Sequence, residues 1–138
     1  IILSALDTRI ALADPVAGFS SYVTRTQWPD KDLGDSEQTP SDLAAVADYT
    51  HLAALLAPRP LLLTHNAQDS CCFRADYALG PLLQQVSPVY ALLGAGGKLA
   101  HHVNHDPGHN YEQDNREAFY RFLHAHLFGG ARDFSPRE

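Results

Sequence analysis

The chain has 138 residues, 45% of them hydrophobic and 19% charged, which is the composition of one ordinary globular unit. Its formal charge of −6, with Lys31 and Lys98 the only lysines and no basic cluster, argues against nucleic acid as a partner, because binding a duplex requires Lys and Arg gathered against phosphates. No apolar run approaches the ~20 residues that span a bilayer, so no membrane partner is expected.

In chain order, the first eight residues read as the end of a helix with Ile2, Leu3 and Leu6 on one face. The chain holds no methionine and opens inside this apolar run, from which we expect a piece of a longer protein. Ile10 to Ala17 is a continuous apolar stretch suited to a strand buried on both faces, with Pro15 marking its end or a bulge. From Ser20 the chain turns polar, and 20–50 is predicted to be an excursion above a sheet. Within it, Thr39-Pro40-Ser41-Asp42 offers a helix start, continued by Leu43, Val46 and Ala47. His51 to Leu56 predicts a short helix ended by Pro58.

Pro60 to His65 has the profile of a central parallel strand running into the polar loop Asn66-Ala67-Gln68-Asp69. Arg74 to Val86 is helical in pattern but broken near Gly80-Pro81, and Ser87-Pro88 restarts a helix closed by Gly94. Lys98 to Asn104 is the third expected strand. A final helix starts at Asp114 and stops at Gly129-Gly130. Alternation of this kind predicts an α/β fold with a three-stranded parallel sheet, right-handed crossovers and flanking helices.

Ligands of such sheets bind beyond the carboxyl ends of the strands. Asp69 lies in the loop after one strand and His109 in the loop after the next, within Asp106-Pro107-Gly108-His109-Asn110-Tyr111. A histidine suits a general base because its pKa lies near working pH, and a carboxylate behind it fixes the tautomer and stabilises the imidazolium. Gly108 allows the tight backbone that lets His109 turn inward. Asp76 and Asp106 are the competing candidates for the acid, and a turn or N-cap aspartate is the structural alternative for Asp69.

The stretch Leu52-Ala53-Ala54-Leu55-Leu56-Ala57-Pro58-Arg59-Pro60-Leu61-Leu62-Leu63 resembles the segment before the acid strand in acetyl xylan esterase-like α/β-hydrolases. The Asn66–Asp69 loop with Cys71-Cys72-Phe73-Arg74, and the 106–111 loop, are similar to that family's acid and histidine loops. The resemblance implies a partial α/β-hydrolase fold, with 1–138 the C-terminal portion of a single domain. It also implies hydrolysis of a carboxylic ester, on a small molecule or acylated carbohydrate, by Ser–His–Asp chemistry. His109 would be the base and Asp69 the acid, with no cofactor and no metal. The family's Gly-x-Ser-x-Gly elbow is absent from the chain, so the serine and the oxyanion hole are expected upstream, in the missing half of the domain. A prolyl oligopeptidase-like peptidase shares the same C-terminal topology, and a non-catalytic module derived from such a hydrolase is the reading of a different class.

Other residues invite chemistry. His101, His102, His105 and His109 hint at a metal, but strand alternation puts His101 and His102 on opposite faces. Cys71 and Cys72 follow the acid rather than occupying an elbow and are expected to line or underlie the pocket, as thiols rather than as a strained vicinal disulfide. Arg74 reads equally as an ion pair or a substrate contact. Trp28 and Tyr22 read equally as a sugar platform or as anchors of a long loop.

Overall fold

The computed structural model describes residues 1–31, 33–34, 40 and 42–129. The elements run α1 (Ile2–Leu6), α2 (Tyr22–Gln27), α3 (Tyr49–Ala54), β1 (Leu61–Gln68), α4 (Ala75–Leu92), β2 (Leu99–Pro107) and α5 (Gln113–Leu127), with single 3-10 turns at Leu43–Ala45 and Gly96–Lys98. The predicted helix start at Thr39 and Ser41 lies outside the described residues; the pattern after it yields only the first of those 3-10 turns.

β1 and β2 pair in parallel, Leu61 opposite Leu99 through Asn66 opposite Asn104, with an irregularity before Gln68 meets Pro107. β1 is buried along its first six residues, which explains an apolar run without alternation. Its odd positions Leu61 and Leu63 join a core with Leu79, Leu82, Val86 and Tyr90 of α4 and with Tyr49, Leu52 and Leu56 around α3. Its even position Asn66 is bonded by Asn115 of α5. Successive strand residues point to opposite faces, so α4 and α5 cover opposite sides of the sheet.

The first expected strand is only partly realised. Ile10 to Ala17 meets β1 through two isolated parallel bridges, Ala13 with Leu61 and Val16 with Thr64. Pro15 has no amide to donate, and Ala17 takes a left-handed φ of 41°, so the ladder is cut twice. The continuous sheet among the described residues therefore has two strands, with this segment alongside. Arg59 fastens it from the Pro58-Arg59-Pro60 turn, its guanidinium donating to the carbonyls of Ile10 (2.8 Å) and Asp7 (3.2 Å).

α4 also departs from expectation, running unbroken through Pro81 and Pro88. Each proline removes one helical hydrogen bond, but Ala78, Leu79, Leu82, Val86 and Tyr90 form one buried face along the whole length. Burial of that face outweighs the two lost bonds. The excursion is tied to the rest by Asp48, which caps α3 in a capping box closed by His51 and accepts the Tyr22 amide of α2 at 3.0 Å. Asp48 starts α3 two residues before the predicted start.

Candidate active site

The parallel register delivers the two loops to one place. Strands with Asn66 beside Asn104 end at the same height, so the residues that follow emerge side by side, about 5 Å apart. Asp69 is the first residue beyond β1, and His109 the second beyond β2. Between them Gly108 adopts φ +90° and donates its amide to the Gln68 carbonyl at 3.0 Å, closing the loop over the strand end. The left-handed φ is what requires glycine here, because an added Cβ would meet only ordinary contact distance.

Asp69 has a side chain with no solvent exposure, and both of its oxygens are engaged. Oδ1 accepts the amides of Cys71 (2.9 Å) and Cys72 (3.0 Å), and Oδ2 accepts from His109 Nδ1 (2.9 Å). The aspartate thus folds its own loop around itself. Phe73, at φ 59° with its ring almost wholly buried, fixes the end of that turn. Burial opposes ionisation of Asp69, but the two amides and the imidazole outweigh it and hold the carboxyl below its ordinary range.

That charge state determines the tautomer of His109. An ionised carboxylate only accepts, so the neutral imidazole carries its proton on Nδ1 and leaves a lone pair on Nε2. The His109 side chain is 43% exposed, which leaves the ring open to a reactant. An orienting acid behind a half-open base is the arrangement that general-base catalysis needs. Among the described residues no hydroxyl hydrogen-bonds the His109 ring.

Four asparagines hold this corner, and sequence reasoning missed their part in it. Asn104 Nδ2 donates to Asn110 Oδ1 (2.9 Å) and to Asn66 Oδ1 (3.3 Å). Asn115 Nδ2 donates to Asn66 Oδ1 (3.1 Å) and to the Asn110 carbonyl (3.0 Å). Asn66 Nδ2 reaches the same carbonyl at 3.2 Å. The residue after His109 is thereby locked to both strands and to α5, and Asn66, Asn104 and Asn115 are almost wholly buried. The available signal was an asparagine at the same height on each strand, a residue type depleted in strands.

Of the candidate acids it is Asp69, not Asp76 or Asp106, that meets the His109 ring; Asp76 pairs with Arg74, which shows Arg74 in an ion pair. Arg74 also lies over the Tyr77 ring, as does Lys31, while Trp28 meets the same ring edge-on at 5.1 Å. This cluster borders a cleft of 150 Å³ that reaches Asp69, Cys71 and Cys72. Tyr22 instead packs edge-on against Tyr49 and serves as an anchor. The four histidines of residues 101–109 do not assemble. His102 pairs with Asp114 at 2.6 Å, and among the described residues the ligand-type side chains grouped within mutual reach are Cys71, Cys72 and His109.

No protein-family model and no curated protein sequence matches the chain. Solved structures do resemble it. The glucuronoyl esterase catalytic domain from Hypocrea jecorina aligns over 94% of this chain with a TM-score of 0.68 and 18% identity. Methylesterase BT1017 aligns over 89% with a TM-score of 0.61 and 23% identity. Pyrococcus horikoshii acylaminoacyl peptidase aligns over 96% with a TM-score of 0.53 and 18% identity. The chain spans 41%, 26% and 23% of those proteins respectively. At these identities the likeness establishes the fold, an α/β arrangement of two parallel strands and flanking helices that corresponds to part of the α/β-hydrolase fold.

Proposed function

We propose that the chain supplies the acid and the base of an ester hydrolase, with His109 as general base and Asp69 as its orienting carboxylate. The observation that carries this reading is the 2.9 Å contact between His109 Nδ1 and an Asp69 carboxylate whose other oxygen is held by two backbone amides. Such an acid cannot swing away, so the imidazole is presented in one orientation with Nε2 outward. A serine from outside these 138 residues would lose its proton to Nε2 and attack the ester carbonyl. The histidine would then return that proton to the leaving alcohol.

Two similar structures are described as esterases, one of them a glucuronoyl esterase, which supports a carboxylic ester as substrate; the acetyl xylan type is what the sequence resemblance adds. Trp28, 45% exposed and edge-on to Tyr77 at the rim of the cleft that reaches Asp69, supports a sugar contact. The likeness to an acylaminoacyl peptidase favours a second reading, cleavage of a peptide bond by the same pair.

Leu3 and Leu6 of α1 are 68% and 70% exposed, which supports an N-terminal half of the domain as the covering partner. We therefore expect the 138 residues alone to be inactive, because nucleophile and oxyanion donors supply most of the rate in this chemistry.

The test labels the longer protein and the 138-residue chain with a fluorophosphonate and assays both on a chromogenic acetate, on acetylated xylan and on an acylaminoacyl anilide. Labelling of a serine outside residues 1–138, with ester turnover only in the longer protein, is expected. Anilide cleavage in place of ester cleavage would select the peptidase. A labelled serine within the 138 residues, or a longer protein that cleaves neither bond, would defeat the proposal.

A further inference from the structure

We propose that Cys71, Cys72 and His109 form a binding site for a soft divalent cation of the zinc class. The ligand atoms of all three lie within 4.8 Å of one another, and the two sulfurs are 2.8 Å apart. The loop itself creates the juxtaposition: Asp69 Oδ1 draws in the amides of both cysteines, which turns two adjacent side chains toward one spot. Buried Phe73, in its left-handed conformation, holds that turn from the far side.

The distances suit such an ion after small movements. A tetrahedral zinc with Zn–S near 2.3 Å and Zn–N near 2.1 Å separates two sulfurs by about 3.7 Å and a sulfur and a nitrogen by about 3.5 Å. The sulfurs must therefore open by about 0.9 Å and the ring must approach by up to about 1.3 Å. Cys71 is exposed and can make most of that adjustment, while buried Cys72 and the Asp69-held His109 anchor the site. Thiolate and imidazole ligands select zinc or cadmium over magnesium or calcium.

A carboxylate behind the ligating histidine is a further feature of such centres, where it fixes the ring and raises its basicity. Asp69 already stands in that place, on Nδ1, leaving Nε2 for the cation. Binding would release two thiol protons to solvent and leave one coordination position for water, with no change in oxidation state. The same Nε2 is the base in the proposed hydrolysis, so a bound cation would block it. That consequence rests on the hydrolase reading; the binding does not.

The experiment titrates the reduced protein with Zn2+ by calorimetry and with Cd2+ by the ultraviolet thiolate-to-metal absorption. One site per chain is expected, with binding weakened at least about tenfold in each of Cys71→Ser, Cys72→Ser and His109→Gln. Circular dichroism checks that the variants are folded. Because Cys72 is buried, alkylation of the exposed Cys71 in the unmutated protein provides an independent measurement and should abolish the cadmium band. Binding that survives alkylation, that shows no thiolate band, or that is lost in His101→Gln or His105→Gln instead would overturn the site. Zinc that binds the longer protein without slowing its ester hydrolysis would overturn the inhibitory role. A longer protein with no hydrolysis to inhibit would defeat the hydrolase reading and leave the cation site standing.

Discussion

Among the described residues two aspartate–histidine contacts occur, and the shorter one is the less suited to general-base work. His102 approaches Asp114 at 2.6 Å, and His109 approaches Asp69 at 2.9 Å. Asp114 sits in the first turn of α5, where the helix terminus favours a carboxylate, and its side chain is 42% exposed. Asp69 has no exposed side-chain surface and spends its second oxygen on two backbone amides. His102 lies within β2, whereas His109 stands beyond the strand end with its ring half open. Contact distance alone therefore does not mark a pair suited to general-base work; an immobilised carboxylate and an exposed imidazole make Asp69 and His109 the candidate.

The strongest way to break this contrast is to remove each histidine in turn from the longer protein proposed above. His109→Ala should lower kcat by about 10⁴-fold, because the base and its imidazolium are lost together. His102→Ala should change kcat by less than about tenfold, since loss of an exposed pair is worth at most about 1 kcal/mol. Steady-state kinetics on an acetate ester reads both. Equal losses would show that the two pairs act alike and that the distinction drawn from burial is wrong.

A third histidine sharpens the comparison through pH. His65 lies wholly buried on β1; its Nε2 makes only a long contact with the Phe19 carbonyl, and its Nδ1 has no partner among the described residues. Burial pushes its pKa down to about 4, against the pull of the Phe19 carbonyl and of Asp69. The unfolded chain binds this proton near pH 6.5 and the folded chain does not, so the stability His65 allows above pH 6.5 is lost as pH falls toward 4. The full window is worth about 3 kcal/mol.

Asp14 has the opposite sign. Burial pushes its carboxyl up to about 6 despite the bond from Thr64 and the charge of His102, so its contribution to stability falls as pH rises from about 4 to 6. Net pH dependence in the intact protein mixes the two effects. Denaturant melts of the intact protein and of His65→Leu, taken at pH 4 and 7, isolate one of them. The variant should lose about 3 kcal/mol less on acidification. An identical pH dependence in both would mean that His65 is hydrated and titrates normally.

Much of this arrangement is readable in the sequence, for reasons that also mark where reading fails. β1 declares itself because Leu61 to Leu63, covered on both faces, form an apolar run without alternation, and the loops of Asp69 and His109 follow from strand ends that parallel pairing aligns. The continuous α4 was not legible. Gly80-Pro81 and Ser87-Pro88 are local stop signals, and only the buried face from Ala78 to Tyr90, a tertiary property, overrides them. The segment from Ile10 to Ala17 errs the other way: its composition fits a strand, but Pro15 and the conformation of Ala17 break the ladder. The asparagines were hidden because Asn is read locally as a turn former, whereas these bond across 38 and 49 residues of sequence.

The smallest effects test whether that asparagine network, rather than the second ionic pair, holds the site. Asn66 accepts from Asn104 and Asn115 and donates to the Asn110 carbonyl, so Asn66→Leu strips one partner each from two buried amides and from the half-buried Asn110 carbonyl. Both side-chain amides it abandons keep a bond to Asn110, which limits the loss to about 1–3 kcal/mol. The loop carrying His109 should loosen with it, so the longer protein should lose kcat with KM little changed, the pattern of a misplaced base. Asp114→Asn removes a shorter contact, yet the Asp114 side chain is 42% exposed and partly solvated. Less than about 1 kcal/mol should go, and kcat should hold. Chemical denaturation of both variants ranks them. If Asp114→Asn proves the more damaging, the ionic pair on β2 and α5 is the true clamp, and the asparagines merely fill the space beneath the loop.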